Sequence, residues 1–361
     1  MVLYKKVVVK IGSNVLSKPD GLPDLDQIQH VTDQIAALKK EKIEVILISS
    51  GAVAAGRTLI KLPEKVDTVA ARQLWASVGQ VKLMNTYSEL FKKYELICAQ
   101  VLVTKEDFRD RLHYLNMRNC LRVLLQHNIV PIINENDVIS VTELMFTDND
   151  ELAGFVASML DVNALIILTN VDGIYDGNPE LEESKVIHEI DYIQQDFSSF
   201  VSTQKSNFGR GGMITKCNIA HKVAGLGINV HIANGKKNNV IIDLLNGIHH
   251  GTRFLPKKIT SNRKKWIAHS ETSAKGKVFL NAGAKAALFS TKASSLLPVG
   301  IVKIEGDFQK GDIIRLLDDG GSAVGLGIAE YGMDKAITLL GQKNQKPLVH
   351  YDYLYLSKGF E

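Results

Sequence analysis

A chain of 361 residues with 45% hydrophobic content is long enough to hold two domains and to bury a substantial core. Its 43 basic and 39 acidic residues leave a net charge of +4, too small an excess to point to nucleic acid or a membrane surface as the main partner. No apolar run approaches the roughly 20 residues of a membrane span, the opening MVLYKKVVVKIG has no cleavable signal pattern, and Cys98, Cys120 and Cys217 are too scattered for a disulfide framework or a zinc site, so a cytoplasmic protein is expected.

Residues 7–11 form a β-branched run closed by Gly12, Ser13 and Asn14, the pattern of a central strand feeding a tight loop, with Lys10 directed at a ligand. Residues 25–40 repeat apolar positions at helical spacing, 45–48 is a second apolar strand, and 51–57 resumes as a small-residue helix. Between the last two, Ser49, Ser50 and Gly51 offer hydroxyls and backbone N–H groups to an anion. A helix-rich stretch over 66–94 leads into a strand over 99–103, and 109–127 sets leucines among charges at helical spacing ahead of a strand ending at Ile133.

Residues 152–160 read as an apolar helix and 164–168 as a strand closed by Thr169, Asn170, Val171, Asp172 and Gly173. The glycine-rich NFGRGGMITK of 207–216 runs into a helix over 217–224, followed by a strand over 229–233. Strands alternating with helices at this length predict an α/β three-layer sandwich with a mainly parallel central sheet, occupying residues 1–255. Residues 256–275 read as a linker that opens on a basic segment. Short strand candidates at 277–280, 286–289, 299–305, 312–317 and 325–330, separated by Gly-rich turns, then predict a small β-barrel-like domain over 276–361. From residue 256 onward the charge is roughly +6 while the larger domain is slightly acidic.

Residues 131–150, PIINENDVISVTELMFTDND, concentrate acidic and amide side chains between a strand and a helix start. Asn134, Glu135, Asn136 and Asp137 fall at the carboxyl end of a buried strand, where open α/β sheets bind ligands, and Asp148, Asn149 and Asp150 immediately precede a helix. Each alone is as well explained as a turn residue or cap; seven in one span argue for a ligand. Their carboxylates suit a substrate ammonium group, or the holding of lysines or a magnesium ion. Lys10 beside a Gly-Ser turn and Lys216 at the end of a glycine-rich loop supply the fixed positive charge that a phosphoryl group in transfer needs. NFGRGGMITK is not a Walker A sequence, no Ser/His/Asp order is identifiable, and His249-His250 reads as a solvated turn. The residues themselves therefore lead to a phosphoryl-transfer enzyme with a small substrate.

VVKIGSNVL, ISSGAVAAGR, the segment from Ser77 to Gln80, VPIINENDV, TDNDELA, LTNVDGIY and GRGGMITK, with RKKW and SSLLPVGI further on, resemble the glutamate 5-kinase group of the amino acid kinase family, and the C-terminal part resembles a PUA domain. The resemblance implies transfer of the ATP γ-phosphate to the side-chain carboxylate of L-glutamate as the first step of proline biosynthesis, with Mg2+ required, feedback inhibition by proline, and a homo-oligomer, dimer or tetramer. It implies glutamate binding at Ser50, Gly51, Asn134, Asp137 and Asn149, and catalytic roles for Lys10, Lys216, Asp148 and Asp150. ATP contacts are implied at Lys10, Gly12, Ser13, Thr169, Asn170, Gly211, Gly212, Met213, Ile214, Thr215 and Lys216, and no residue is assigned as a metal ligand, although Asp148 faces either the lysines or the metal. Asn170 stands where many relatives have Asp, keeping the acceptor oxygen without the charge, and Arg210 stands where a small or hydroxyl residue is frequent. Another acyl acceptor, or an accessory RNA-binding role of the PUA-like domain, are the alternative readings.

Overall fold

The computed structural model describes residues 2–63, 67–109, 111–139, 146, 148–178, 181, 183–191, 212–257, 267, 274–290 and 294–356. The chain divides into two compact units, Met1–Ile259 and Thr260–Glu361. Gly211, Arg210, most of the glycine-rich segment and the RKKW motif lie outside the described residues.

In the first unit β1 (Lys6–Ile11), β2 (Glu44–Ser49), β3 (Cys98–Val103), β4 (Val130–Glu135), β5 (Ala164–Thr169), β6 (Glu189–Asp191), β7 (Asn229–Asn234) and β8 (Thr252–Leu255) form one sheet in the order β3-β4-β2-β1-β5-β7-β8-β6. Every neighbouring pair is parallel except β7 with β8. The helices are α1 (Ser13–Leu16), α2 (Leu25–Lys40), α3 (Ala52–Arg57), α4 (Thr68–Lys92), α5 (Lys105–Arg109), α6 (Arg111–Gln126), α7 (Asn149–Leu160), α8 (Met213–Ala224) and α9 (Val240–Leu245). The helix expected over 109–127 is α6, with the short α5 ending just ahead of it.

The two-residue period of the strands sorts side chains between the faces. Val7, Val9 and Ile11 of β1 join Ile28, Val31 and Ile35 of α2, Tyr87 and Phe91 of α4, and Val240 of α9 in one core. Val8 and Lys10 point to the opposite face, where α7 packs on β1, β2, β4 and β5 and α8 on β7. A lysine in a buried strand is thereby aimed between two helices. Parallel registers align Ile11 with Ser49 and with Leu168, Ile48 with Ile133, and Thr169 with Asn234, so the carboxyl ends of five strands share one edge. Along that edge α4 crosses α3 in backbone contact: a Cβ on Gly79 would lie 1.9 Å from the Ala52 carbonyl oxygen. This approach carries Gln80, the next residue, to the end of β4.

The second unit has β9 (Gly276–Leu280), β10 (Ile301–Gly306), β11 (Ile313–Asp318), β12 (Ala323–Ile328) and β13 (Leu354–Leu356) in the order β10-β9-β11-β12-β13, with β9 and β11 parallel and the other pairs antiparallel. Val278, Leu280, Phe308, Ile314, Leu316, Val324 and Leu348 fill its core. Residues 286–289, expected as a strand, are the last turn of the helix Ala282–Phe289. The Asn281 side chain caps that helix by accepting from the Ala284 N–H, and the alanine-rich sequence favours it. A four-residue apolar run carries no period long enough to separate strand from helix.

Candidate active site

The sheet edge gathers two kinds of contact. On one side Asp150, fully buried in the first turn of α7, lies between two ammonium groups: its Oδ1 is 2.5 Å from Lys10 Nζ and its Oδ2 is 3.0 Å from Lys216 Nζ. Lys10 comes from β1 and Lys216 from α8, and both are nearly buried. Burial by itself would push the Asp150 carboxyl up, but the charges and hydrogen bonds of the two lysines outweigh it and hold the group below the usual carboxylate range.

Asp148 caps α7. Its Oδ1 accepts from the Asp150 N–H at 2.8 Å and the Glu151 N–H at 3.1 Å, while its Oδ2 is buried with no hydrogen-bond partner. Burial and the nearby Asp150 charge push Asp148 up to about 6, against the opposing pull of Lys10 and Lys216. Asp148 thus places one buried, uncoordinated carboxylate oxygen near two lysines.

On the other side Ser50, Gln80, Asn134 and Asn149 join through neutral contacts, with the Arg72–Asp137 ion pair beyond them. Asn149 Nδ2 donates to Ser50 Oγ at 2.9 Å and to Asn134 Oδ1 at 3.1 Å, and Asn134 Nδ2 donates to Gln80 Oε1 at 3.1 Å. Gly51, with φ of 113°, turns the chain from β2 into α3 and leaves Ser50 at the edge, a conformation that glycine adopts without strain. Asp137, just beyond β4, pairs with Arg72 of α4, Nη2 to Oδ1 being 2.5 Å. Burial raises the Asp137 carboxyl and the Arg72 charge pulls it back down.

Lys10, Asp148, Asp150 and Lys216 are thus brought together, as are Ser50, Asn134 and Asn149, and Asp137 lies beside Arg72. Glu135 is buried in β4 and its Oε1 accepts from the Phe146 N–H at 2.8 Å, a contact that fixes backbone. Gly12 donates its N–H to the Leu168 carbonyl at 3.2 Å and precedes Ser13 in the short helix α1. Thr169 is buried at the end of β5, and its hydroxyl is 3.4 Å from Oδ1 of the exposed Asn170. Gly212 begins α8 with open space around it, Met213 and Thr215 are half-buried, and Ile214 is exposed. Burial pushes the neighbouring Cys217 thiol up to about 12, so it stays protonated and inert.

Arg72 and Gln80 carry no role in the sequence reading. Gln80 ends a motif that marks the resemblance, but nothing in its spacing from Asn134 signals a contact. Among the described residues no group of three or more His, Cys, Asp or Glu side chains is arranged to enclose a metal ion, and no helix is long and apolar enough to cross a membrane.

Residues 5–234 match the Amino acid kinase family and residues 276–350 match the PUA domain. The glutamate 5-kinase of Bacteroides thetaiotaomicron is 52% identical over 98% of this chain and 99% of its own length, and that of Chlorobaculum tepidum is 51% identical over 98% of each. The solved structure of the carbamate kinase from Giardia lamblia bound to AMP-PNP aligns with a TM-score of 0.50 at 18% identity, covering 71% of this chain and all of that one, a likeness of fold alone. The Lys10–Asp150–Lys216 cluster at the ends of parallel strands lies in the matched region, and the chain belongs to the amino acid kinase family, within its glutamate 5-kinase group, with a PUA domain following the kinase unit.

Proposed function

We propose that this chain transfers the γ-phosphoryl group of ATP to the side-chain carboxylate of L-glutamate, yielding L-glutamyl 5-phosphate and ADP for proline biosynthesis. The observation that carries the reading is the buried Asp150 holding Lys10 and Lys216 3.0 Å or less from its oxygens, next to the uncharged hydrogen-bonded cluster of Ser50, Asn134 and Asn149. A carboxylate acceptor is already ionised near neutral pH, so no general base is required. The barrier is repulsion between two anions, and the lysines offset it as one oxygen of the acceptor forms its bond to phosphorus while the bond to the β-phosphate oxygen breaks and its electrons leave with ADP. Asp150 keeps the two ammonium groups apart and aimed at the same point.

Mg2+ fits the open Oδ2 of Asp148, a hard oxygen ligand. When bound it would neutralise phosphate charge. Thr169, Asn170 and the 212–216 turn into α8 are proposed to receive the nucleotide. Proline as an inhibitor and a homo-oligomer, dimer or tetramer, are proposed on the strength of the group resemblance. In the second unit Lys275, Lys285 and Lys303 are ion-paired with Asp312, Asp318 and Glu305 respectively, and an accessory RNA role there is not the reading proposed.

ADP release measured with glutamate, aspartate, N-acetylglutamate and carbamate as separate acceptors tests the proposal. Glutamate should be turned over fastest and hydroxylamine should trap its product as the hydroxamate; faster turnover of another acceptor overturns the assignment.

A further inference from the structure

We infer that Arg72 binds the α-carboxylate of the amino-acid acceptor, so that Arg72 and Asp137 together form a receptor for a zwitterionic head group. The inference rests on the proposed reading of the acceptor as a free amino acid, and it concerns a residue of α4 that the catalytic cluster does not touch.

Arg72 lies early in α4, its side chain 27% exposed, with Nη2 2.5 Å from Asp137 Oδ1 and 3.9 Å from Glu135 Oε2. The helix is pinned to the same turn by Gln73, whose Nε2 donates to the Val138 carbonyl at 2.7 Å. Both members of the pair are therefore held at the end of β4, one from the helix and one from the turn. The Asp137 side chain is only 10% exposed, so burial disfavours its charge and the Arg72 guanidinium opposes that cost. An acceptor ammonium that displaced Arg72 from Asp137 would leave the guanidinium with only its longer contact to Glu135.

An amino-acid head resolves that problem, because it brings a carboxylate one carbon away from its ammonium. With the ammonium on Asp137 and the α-carboxylate on Arg72, every charge keeps an opposite neighbour, and a guanidinium fork matches a carboxylate with two parallel donors. The described contacts engage its Nη2 only, leaving further donors for the ligand. From there Asn134 and Asn149 lead along the edge to Asp150 and the lysines, where the distal carboxylate of the same molecule has to react.

The test compares L-glutamate with its α-amide, which keeps the ammonium and the distal carboxylate but removes the α-carboxylate charge. Wild type should prefer glutamate in kcat/KM by about 10- to 100-fold, the value of one charge-assisted hydrogen-bonded pair. Arg72→Ala should lose that preference through a fall on glutamate alone, with the KM for ATP unchanged, and Arg72→Lys should restore part of it. Asp137→Ala should weaken both acceptors and keep the preference. If Arg72 only props Asp137, Arg72→Ala will weaken glutamate and the amide equally and the ratio will persist, which overturns the inference. Absence of any preference in the wild type also overturns it. Failure of the wild type to phosphorylate glutamate at all strikes instead at the proposed function.

Discussion

Where phosphate is expected, Asp150 sits without solvent exposure between two ammonium groups; where the acceptor is expected, Gln80, Asn134, Asn149 and Ser50 join through neutral hydrogen bonds. The first arrangement spends desolvation of three charges to keep fixed positive charge at a point where negative charge develops. The second sets donors and acceptors in a sequence: Asn134 and Gln80 occupy the Asn149 and Asn134 amide groups in order, and Ser50 accepts from Asn149, which leaves the Ser50 hydroxyl proton for a ligand. On the proposed reading, charge on one side drives turnover, while hydrogen-bond order and the Arg72–Asp137 pair on the other select the acceptor.

The sharpest break between the two sides comes from the lysines. Lys10→Ala and Lys216→Ala should each lower kcat by about 10²-fold or more, roughly 3 kcal/mol, with a much smaller change in the KM for glutamate. Steady-state ADP release checks this, and near-normal turnover in both variants would remove the lysines from the mechanism.

A smaller effect isolates Asp148. Its carboxyl is raised to about 6, above the ordinary 3.8, so in the metal-free protein its contribution to stability is present below about pH 4 and is lost as pH rises through 6. Asp148→Asn, which keeps the cap but cannot ionise, should match wild type near pH 4 and exceed it at pH 8 by on the order of 2 kcal/mol. Thermal unfolding in chelator across that range measures the difference, and a gap independent of pH contradicts it.

The least change is expected from the neutral side. Gln80→Met preserves shape but removes the oxygen that orients Asn134, and should raise the KM for glutamate about 5- to 10-fold with kcat and the KM for ATP within about twofold. Gln80→Glu retains an acceptor and should recover most of the loss. Equal harm from both substitutions would mean that Gln80 donates, and the order of the chain would be reversed.

The strand and helix pattern of the kinase unit was legible because its strands are short β-branched runs and its helices keep a steady apolar period. Asp148 was readable as a cap, since a cap is a local device. The helix Ala282–Phe289 was not, because AALF gives too little period to choose a conformation. Lys10 and Lys216 drew attention through their glycine neighbours, yet their shared partner, separated from each by a long stretch of chain, could be named only through resemblance. Arg72 and Gln80 lie inside a long helix whose apolar and polar residues are poorly segregated, where a polar residue reads as solvated surface.

Composition and sequence order determined an α/β unit followed by a β-rich one and a strand-end region dense in amides and carboxylates, because these follow from local periodicity and turn chemistry. Tertiary structure decided which side chains meet. The alternation of β1 turned Lys10 toward α7 and α8, and the glycine-permitted crossing of α3 with α4 delivered Gln80 to Asn134. Such contacts depend on the packing of elements distant in the chain, and no single window of residues carries them.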